Sequence, residues 1–158
     1  MKGVASACGS ATVINAIATG KGAAFALDLR VRGEVELTNE PGEVIGRVGT
    51  TSESPKLIEI CARKVLENLK LEKKYGARIK TTSDVPIAVG LSSSSAAANA
   101  VILATFAALG EIPSPKTIIN LGIDAAFEAG TTITGAFDDA AASFHGCGVI
   151  TDNKSGAC

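Results

Sequence analysis

Pro86-Ile-Ala-Val-Gly90-Leu91-Ser92-Ser93-Ser94-Ser95-Ala96-Ala-Ala-Asn-Ala100 is the stretch on which the reading of this chain turns. Gly90 and Leu91 break an extended segment, four serines follow, and an alanine-rich run then reads as a helix. Such a strand-to-helix turn suits an anion such as phosphate. Small side chains at Gly90 and Ser92 to Ser95 let a ligand reach the backbone, and the free N–H groups and positive dipole end of the helix point at it. A serine hydroxyl beside a di- or triphosphate can also complete the oxygen shell of Mg²⁺. The alternative is a flexible serine loop whose hydroxyls only cap the helix, since serine is favoured at helix starts whatever the function. A Gly/Ser-rich loop before a helix does not by itself decide between the two.

Working outward, the helix from Ser95 to Leu109 has almost no polar side, so it is expected to be buried on nearly all faces. A buried helix cannot leave its first N–H groups unpaired, which makes the content of the serine loop matter. Upstream, Ala77 to Thr82 reads as a strand. Ser54-Pro55 opens an amphipathic helix with Leu57, Ile58, Cys61, Val65, Leu66 and Leu69 inward, Glu59, Arg63, Glu67 and Lys70 outward, and Gly76 as its end. Glu40-Pro41-Gly42-Glu43 is a turn before a short strand at Val44 to Val48. Ser10 to Ala18 and Ala23 to Leu37 read as strands, the second alternating Val31, Val35 and Leu37 with Arg32, Glu34 and Glu36. Between them, Asn15 to Gly22 makes a turn in which Lys21 either serves a phosphate or carboxylate or stands solvated. It is not a Walker A loop, because Gly22 stands where that motif needs Ser or Thr.

Downstream, Ser114-Pro115 opens a helix with Ile118, Ile119, Ile123, Ala126 and Phe127 inward and Gly130 closing it. After a glycine turn come Asp138 and Asp139, then a strand at Val149 to Thr151. The adjacent carboxylates read as a general base, as metal ligands, or as acids favouring a helix N-terminus.

A length of 158 residues fits one domain. With 46% apolar and 20% charged residues the chain can build a globular core. A net charge of −1 without a clustered basic excess argues against a nucleic-acid partner. Cys8, Cys61, Cys147 and Cys158 form no CxxC pair and His145 is the only histidine, so zinc is not suggested and a reducing, cytoplasmic location is expected. The N-terminal twenty residues lack the continuous apolar core of a signal sequence, and no stretch is long and apolar enough for a membrane.

Taken in order, three segments narrow the reading. Residues 86–96, with Pro86, Gly90, Leu91, Ser93, Ser94 and Ala96, resemble the P-x-x-x-G-L-x-S-S-x-A signature of the GHMP kinases. Together with Asn15 to Leu29 and Thr134 to Ser143, they resemble the archaeal type of shikimate kinase within that superfamily. The resemblance implies an α+β fold like ribosomal protein S5 domain 2, with residues 1–158 as the N-terminal, ATP-binding domain and the C-terminal domain missing from this chain. It implies an ATP- and Mg²⁺-dependent kinase acting on shikimate, with a homoserine- or mevalonate-type kinase or a non-catalytic nucleotide-binding module as alternatives. On this resemblance Gly90 to Ser95 wrap the ATP phosphates, Ser94 ligates Mg²⁺, Asp138 or Asp139 orients or deprotonates the acceptor hydroxyl, and Asn15 and Lys21 contact substrate or balance phosphate charge. The shortfall in length makes a C-terminal half or a second copy of the chain the expected partner.

Overall fold

Alternation of Val31, Gly33, Val35 and Leu37 with Arg32, Glu34 and Glu36 makes a strand with one buried and one wet face, and the sheet is built around it. In a computed structural model, which describes residues 1–49, 54–86 and 89–158, β2 (Lys21–Thr38) pairs along most of its length with antiparallel β1 (Lys2–Ile14). Its other edge is shared. Residues 31–38 pair with β4 (Gly76–Ser83), and residues 21–25 pair with β5 (Gly148–Asp152). A short parallel strand, β3 (Val44–Val48), lies beyond β4, giving the order β1-β2-β4-β3 with β5 branching from β2.

Helices cover one face. α2 (Ser93–Leu109) packs across β1 and β2, α1 (Lys56–Asn68) lies against β3, β4 and α2, and α4 (Phe137–His145) crosses β1, β2 and β5. α3 (Pro115–Ala129) rests on the other three helices and, among the described residues, on no strand. α2 is thus enclosed by sheet and helices, as its all-apolar composition requires; Ala96, Ala100, Val101, Ile102 and Ala104 are fully buried. Its seat on the sheet depends on two glycines. A Cβ on Gly3 would lie 2.0 Å from the Ala104 carbonyl oxygen and 2.4 Å from the Ala108 nitrogen, and one on Gly33 would lie 3.0–3.2 Å from the backbone of Ala100 and Val101.

β1 starts at Lys2, well before the expected Ser10, because pairing supplies what propensity does not, and it ends at Ile14 rather than Ala18, where the chain turns back into β2. α1 ends at Asn68, and Gly76 instead begins β4: two turns, Lys70 to Glu67 and Tyr75 to Leu71, intervene. Glu59 is not left to solvent; its Oε1 accepts the Gly46 N–H at 2.9 Å. Phe127 is about half exposed, and Gly122 and Ala125 take the inner positions of α3. Gly122 costs a helix about 1 kcal/mol relative to alanine, yet an added Cβ would meet only ordinary contacts at 3.6–3.7 Å. Gly122→Ala is therefore expected to raise stability by up to about 1 kcal/mol, read as a higher urea midpoint at unchanged slope; a lower midpoint would show that the space is needed.

Candidate functional site

Ser92 to Ser95 do not form a loose loop. Ser93 to Ser95 are the first turn of α2, and Ser92 is its N-cap in a left-handed conformation (φ 52°). Among the described residues no side chain caps this helix, although serines fill the position. α3 is the contrast: Ser114 Oγ accepts the Thr117 N–H at 3.1 Å, the ordinary use of serine at a helix start. The same uncapped state recurs at α4, whose N-cap Ala136 is also left-handed (φ 43°), at a cost of about 1–2 kcal/mol for a residue with a Cβ. Ser92, Ser94, Ser95 and Ala136 all line one cavity of about 90 Å³. Two helix N-termini without side-chain caps thus face a shared space, which concentrates unpaired N–H donors and positive dipole ends there.

Part of its wall is apolar, from Ala98, Ile123 and Ala126, and part carries oxygens. Thr131, Thr132 and Asp139 contribute to its wall, and so does Asn99. Asn99 is 1% exposed; its Nδ2 donates to the Ala140 carbonyl at 3.0 Å and to Ser143 Oγ at 3.2 Å, pinning α4 to α2. Its Oδ1 is buried without a partner among the described residues, a cost that a polar guest or water in the cavity would relieve. A second cavity of about 450 Å³ adjoins the first, with Ser94 and Thr131 in both walls. It runs from the serines to an apolar end at Val31, Val48, Leu57, Ile58 and Val85, a size and composition that suit a nucleoside.

The carboxylate pair divides between two sides. Asp139 lies on the serine side: Ser10 Oγ donates to its Oδ1 at 3.2 Å and Thr12 Oγ1 at 3.0 Å. The Ser10 N–H meanwhile donates to the Leu91 carbonyl at 3.2 Å, so one residue of β1 holds both the loop before α2 and the acid on α4. Asp138 is 4% exposed and turns to the other side. Its carboxylate lies against Gly22, where an added Cβ would come within 2.8 Å of Oδ2, and its Oδ1 accepts from Asn153 Nδ2 at 3.3 Å. Asn153 is itself held by Thr151 Oγ1, 2.6 Å away, and by its backbone N–H to the Gly20 carbonyl at 2.7 Å. Neither carboxylate has an ion-pair partner among the described residues.

Of the residues singled out from sequence, Ser92, Ser94, Ser95 and Asp139 come together at the small cavity, and Ser93 and Ser94 reach the large one. Gly90 has φ 78° and open space around it, so the chain there requires glycine and leaves room for approach. Leu91 anchors the turn to β1, Ala96 is buried beneath it, and Pro86 is exposed at the end of the preceding segment, whose Ile87 and Ala88 lie outside the described residues. Asn15 and Lys21 are exposed on the β1–β2 hairpin; Asn15 Oδ1 accepts the Ile17 N–H at 2.8 Å, and Lys21 lies on the sheet face opposite Gly22, so its ammonium is not brought to Asp138. Ser10, Thr12, Asn99 and Asn153 escape a sequence reading, because each acts on a residue between 15 and 129 positions away.

Comparison with known proteins bears on the family and the fold. Residues 56–147 match the GHMP kinases N terminal domain. The shikimate kinase of Methanococcoides burtonii is 53% identical over 154 residues, covering 97% of this chain and 53% of the relative. That of Methanosarcina mazei is 50% identical over 156 residues, covering 98% and 53%. The chain thus spans about half the length of the curated relatives it matches. Among solved structures, homoserine kinase from Cytophaga hutchinsonii superposes with a TM-score of 0.83 at 20% identity, over 99% of this chain and 50% of that one. MDDEF in complex with MVAPP, AMPPCP and magnesium superposes with a TM-score of 0.65 at 20% identity, over 82% and 43%. The S5-like α+β fold, the serine-lined turn and the sequence match lead to one assignment: the chain belongs to the GHMP kinases, through their N-terminal domain.

Proposed function

We propose that this chain is the nucleotide-binding half of a shikimate kinase, and that it takes part in transfer of the γ-phosphoryl group of ATP to a shikimate hydroxyl, giving shikimate 3-phosphate and ADP. The observation that carries the kinase reading is the meeting of two uncapped helix N-termini at a cavity rimmed by hydroxyls and one carboxylate. That is a phosphate site by its donors. The nucleoside belongs in the adjoining 450 Å³ cavity, with Ser94 and Thr131 at the junction. The choice of shikimate rests on the names of relatives about half identical to this chain.

Mg²⁺ suits the oxygens present. Ser94 Oγ, the Asp139 carboxylate and the orphan Asn99 Oδ1 are hard donors in one wall, and among the described residues no group of three acidic, His or Cys side chains forms a ready-made cage. Ser94 and Asp139 would hold an ion that arrives with the nucleotide, as Mg²⁺ bound by few protein ligands does. When bound, it neutralises charge on the transferring phosphoryl group.

The chain's own residues then divide the work. The α2 and α4 N–H groups orient the triphosphate and stabilise its charge without reorganisation. Asp138, on the hairpin side, positions the acceptor hydroxyl; as its oxygen bonds to the γ-phosphorus and the bond to the ADP oxygen breaks, the hydroxyl proton passes to the Asp138 carboxylate. Asn153 keeps that carboxylate oriented. Asn15 and Lys21 lie on the exposed hairpin whose Gly22 touches Asp138, with Lys21 on the opposite sheet face and outside this division of work.

Titration calorimetry of this chain with Mg²⁺ and a non-hydrolysable ATP analogue, with and without shikimate, tests the proposal. Saturable nucleotide binding, tightened by shikimate, is expected. Ser94→Ala is expected to weaken Mg²⁺-dependent binding by on the order of tenfold, the loss of one charge-assisted contact. Unchanged affinity would return Ser94 to a structural part, and phosphoryl transfer to homoserine or mevalonate but not shikimate would replace the acceptor.

A further inference from the structure

Asp138 is an acid, Asn153 beside it is neutral, and Lys21 stands on the opposite face of the sheet. An acceptor that carries its own carboxylate would be repelled there by Asp138 and by the nucleotide phosphates, so a cation is needed on that side. The turn after β5 holds one. Asp152 Oδ1 accepts the Lys154 N–H at 3.0 Å, the Asp152 carbonyl accepts the Gly156 N–H at 2.9 Å, and the Asp152 N–H donates to the Ala157 carbonyl at 2.8 Å. The bond from the Asn153 N–H to the Gly20 carbonyl fastens this turn to the β1–β2 hairpin. Two glycines of the hairpin show what lies against it. A Cβ on Gly22 would strike the Asp138 carboxylate, and one on Gly20 would come within 2.7–3.0 Å of Cε, Cγ and Cδ of Lys154. The Lys154 stem is thus laid across Gly20, which is buried and whose φ of 82° favours glycine.

We propose that Lys154 recognises the acceptor: its ammonium binds the carboxylate of a hydroxylated carboxylic acid whose hydroxyl is presented to Asp138. The proposal rests on the function proposed above and names the residue that selects the substrate class. Two residues of chain span at most about 7 Å, so the Lys154 stem on Gly20 and the Asp138 carboxylate on Gly22 rest at neighbouring points of one hairpin. Asn153 ties them further, since its side chain bonds Asp138 and its backbone leads directly into Lys154. Lys154 is exposed, and its ammonium has no ion-pair partner among the described residues. An exposed lysine pairs weakly when its long stem must be ordered first; here the stem is already held. In shikimate the carboxylate and the 3-hydroxyl stand on ring carbons separated by a single carbon, a short span that suits two groups held on one hairpin.

The test is calorimetry of this chain, loaded with Mg²⁺ and a non-hydrolysable ATP analogue, with shikimate and with its uncharged carboxamide. The parent is expected to prefer the acid by at least about tenfold, the value of one charge-assisted contact. Lys154→Met keeps a long stem on Gly20 and removes the charge. It is expected to abolish the preference by weakening the acid alone, with nucleotide affinity and the urea midpoint unchanged. Lys154→Arg is expected to restore most of the preference. A preference that survives Lys154→Met overturns the proposal, and so does one that Lys21→Met removes while Lys154→Met is silent. Mevalonate and homoserine, each beside its carboxamide, keep the two readings apart. Preference for either acid that Lys154→Met abolishes replaces shikimate and upholds Lys154. Shikimate binding whose acid preference is indifferent to Lys154 overturns Lys154 and upholds the acceptor. A parent that binds the nucleotide and none of the three acids overturns both.

Discussion

Asp138→Asn is expected to lower kcat for phosphoryl transfer by about 10²–10⁴, the usual contribution of a positioned general base, while nucleotide affinity stays within about twofold. Asparagine has the same shape, and its amide oxygen can still accept from Asn153 Nδ2, so the fold and the α4 start are preserved. What disappears is the group proposed to receive the acceptor proton. The neighbouring substitution separates the two acids. Asp139 faces the serine cavity and is held by Ser10 and Thr12, so Asp139→Asn is expected to weaken Mg²⁺-nucleotide binding first and kcat second. Coupled ADP release, run beside calorimetry on each variant, decides the matter. A large kcat loss for Asp139→Asn with Asp138→Asn silent would exchange their roles.

That division was only half visible in the sequence. Two adjacent aspartates after a glycine turn announce an acid pair at a helix start, and α4 does begin at Phe137. Consecutive residues on a helix point about 100° apart, so the pair had to split. Which acid met the serines depended on how α4 is laid across β1, β2 and β5, and that is set by Asn99 and by strand pairing many residues away. The serine turn shows the same limit. Glycine, serines and an apolar helix fixed its place in the fold, but capping and ligand binding use the same residue types. Only the conformation of Ser92, with no side-chain cap, separates α2 from the ordinarily capped α3.

Elements with a clean period were legible: β2 by its alternation, α1 by its apolar stripe, and α3 by Ser114-Pro115 and Gly130. The far ends of β1 and β5 were not, because their residues are small and their strand conformation comes from partners rather than propensity. Lys154 was hidden for a related reason. Gly20 and Lys154 are far apart in sequence, and nothing local says that they touch.

The packing of α2 on the sheet yields the largest expected change in stability. A methyl group at Gly3 would sit 2.0 Å from one backbone atom in the C-terminal part of α2 and 2.4 Å from another, and backbone cannot turn aside as a side chain can. Either α2 lifts off β1, opening space above Ala7 and Val35, or the first residues of β1 peel away and lose the bond from the Leu37 N–H to the Met1 carbonyl. Overpacking costs about 1–3 kcal/mol where side chains can yield. Gly3→Ala is expected at or above the top of that range, lowering the melting temperature by about 6–12 °C for a chain of this size. Gly33→Ala, whose nearest atoms lie at 3.0–3.2 Å, should cost about 1–2 kcal/mol. With Gly122→Ala stabilising, the three substitutions form a graded series in which one chemical change has opposite signs. If the site is assembled by this packing, nucleotide affinity should fall in Gly3→Ala at temperatures where it is folded; Gly122 lines the small cavity itself, so its variant is read for stability alone. Equal melting temperatures for Gly3→Ala and the parent would mean that α2 does not approach β1 this closely, and the close seating of that helix would have to be abandoned.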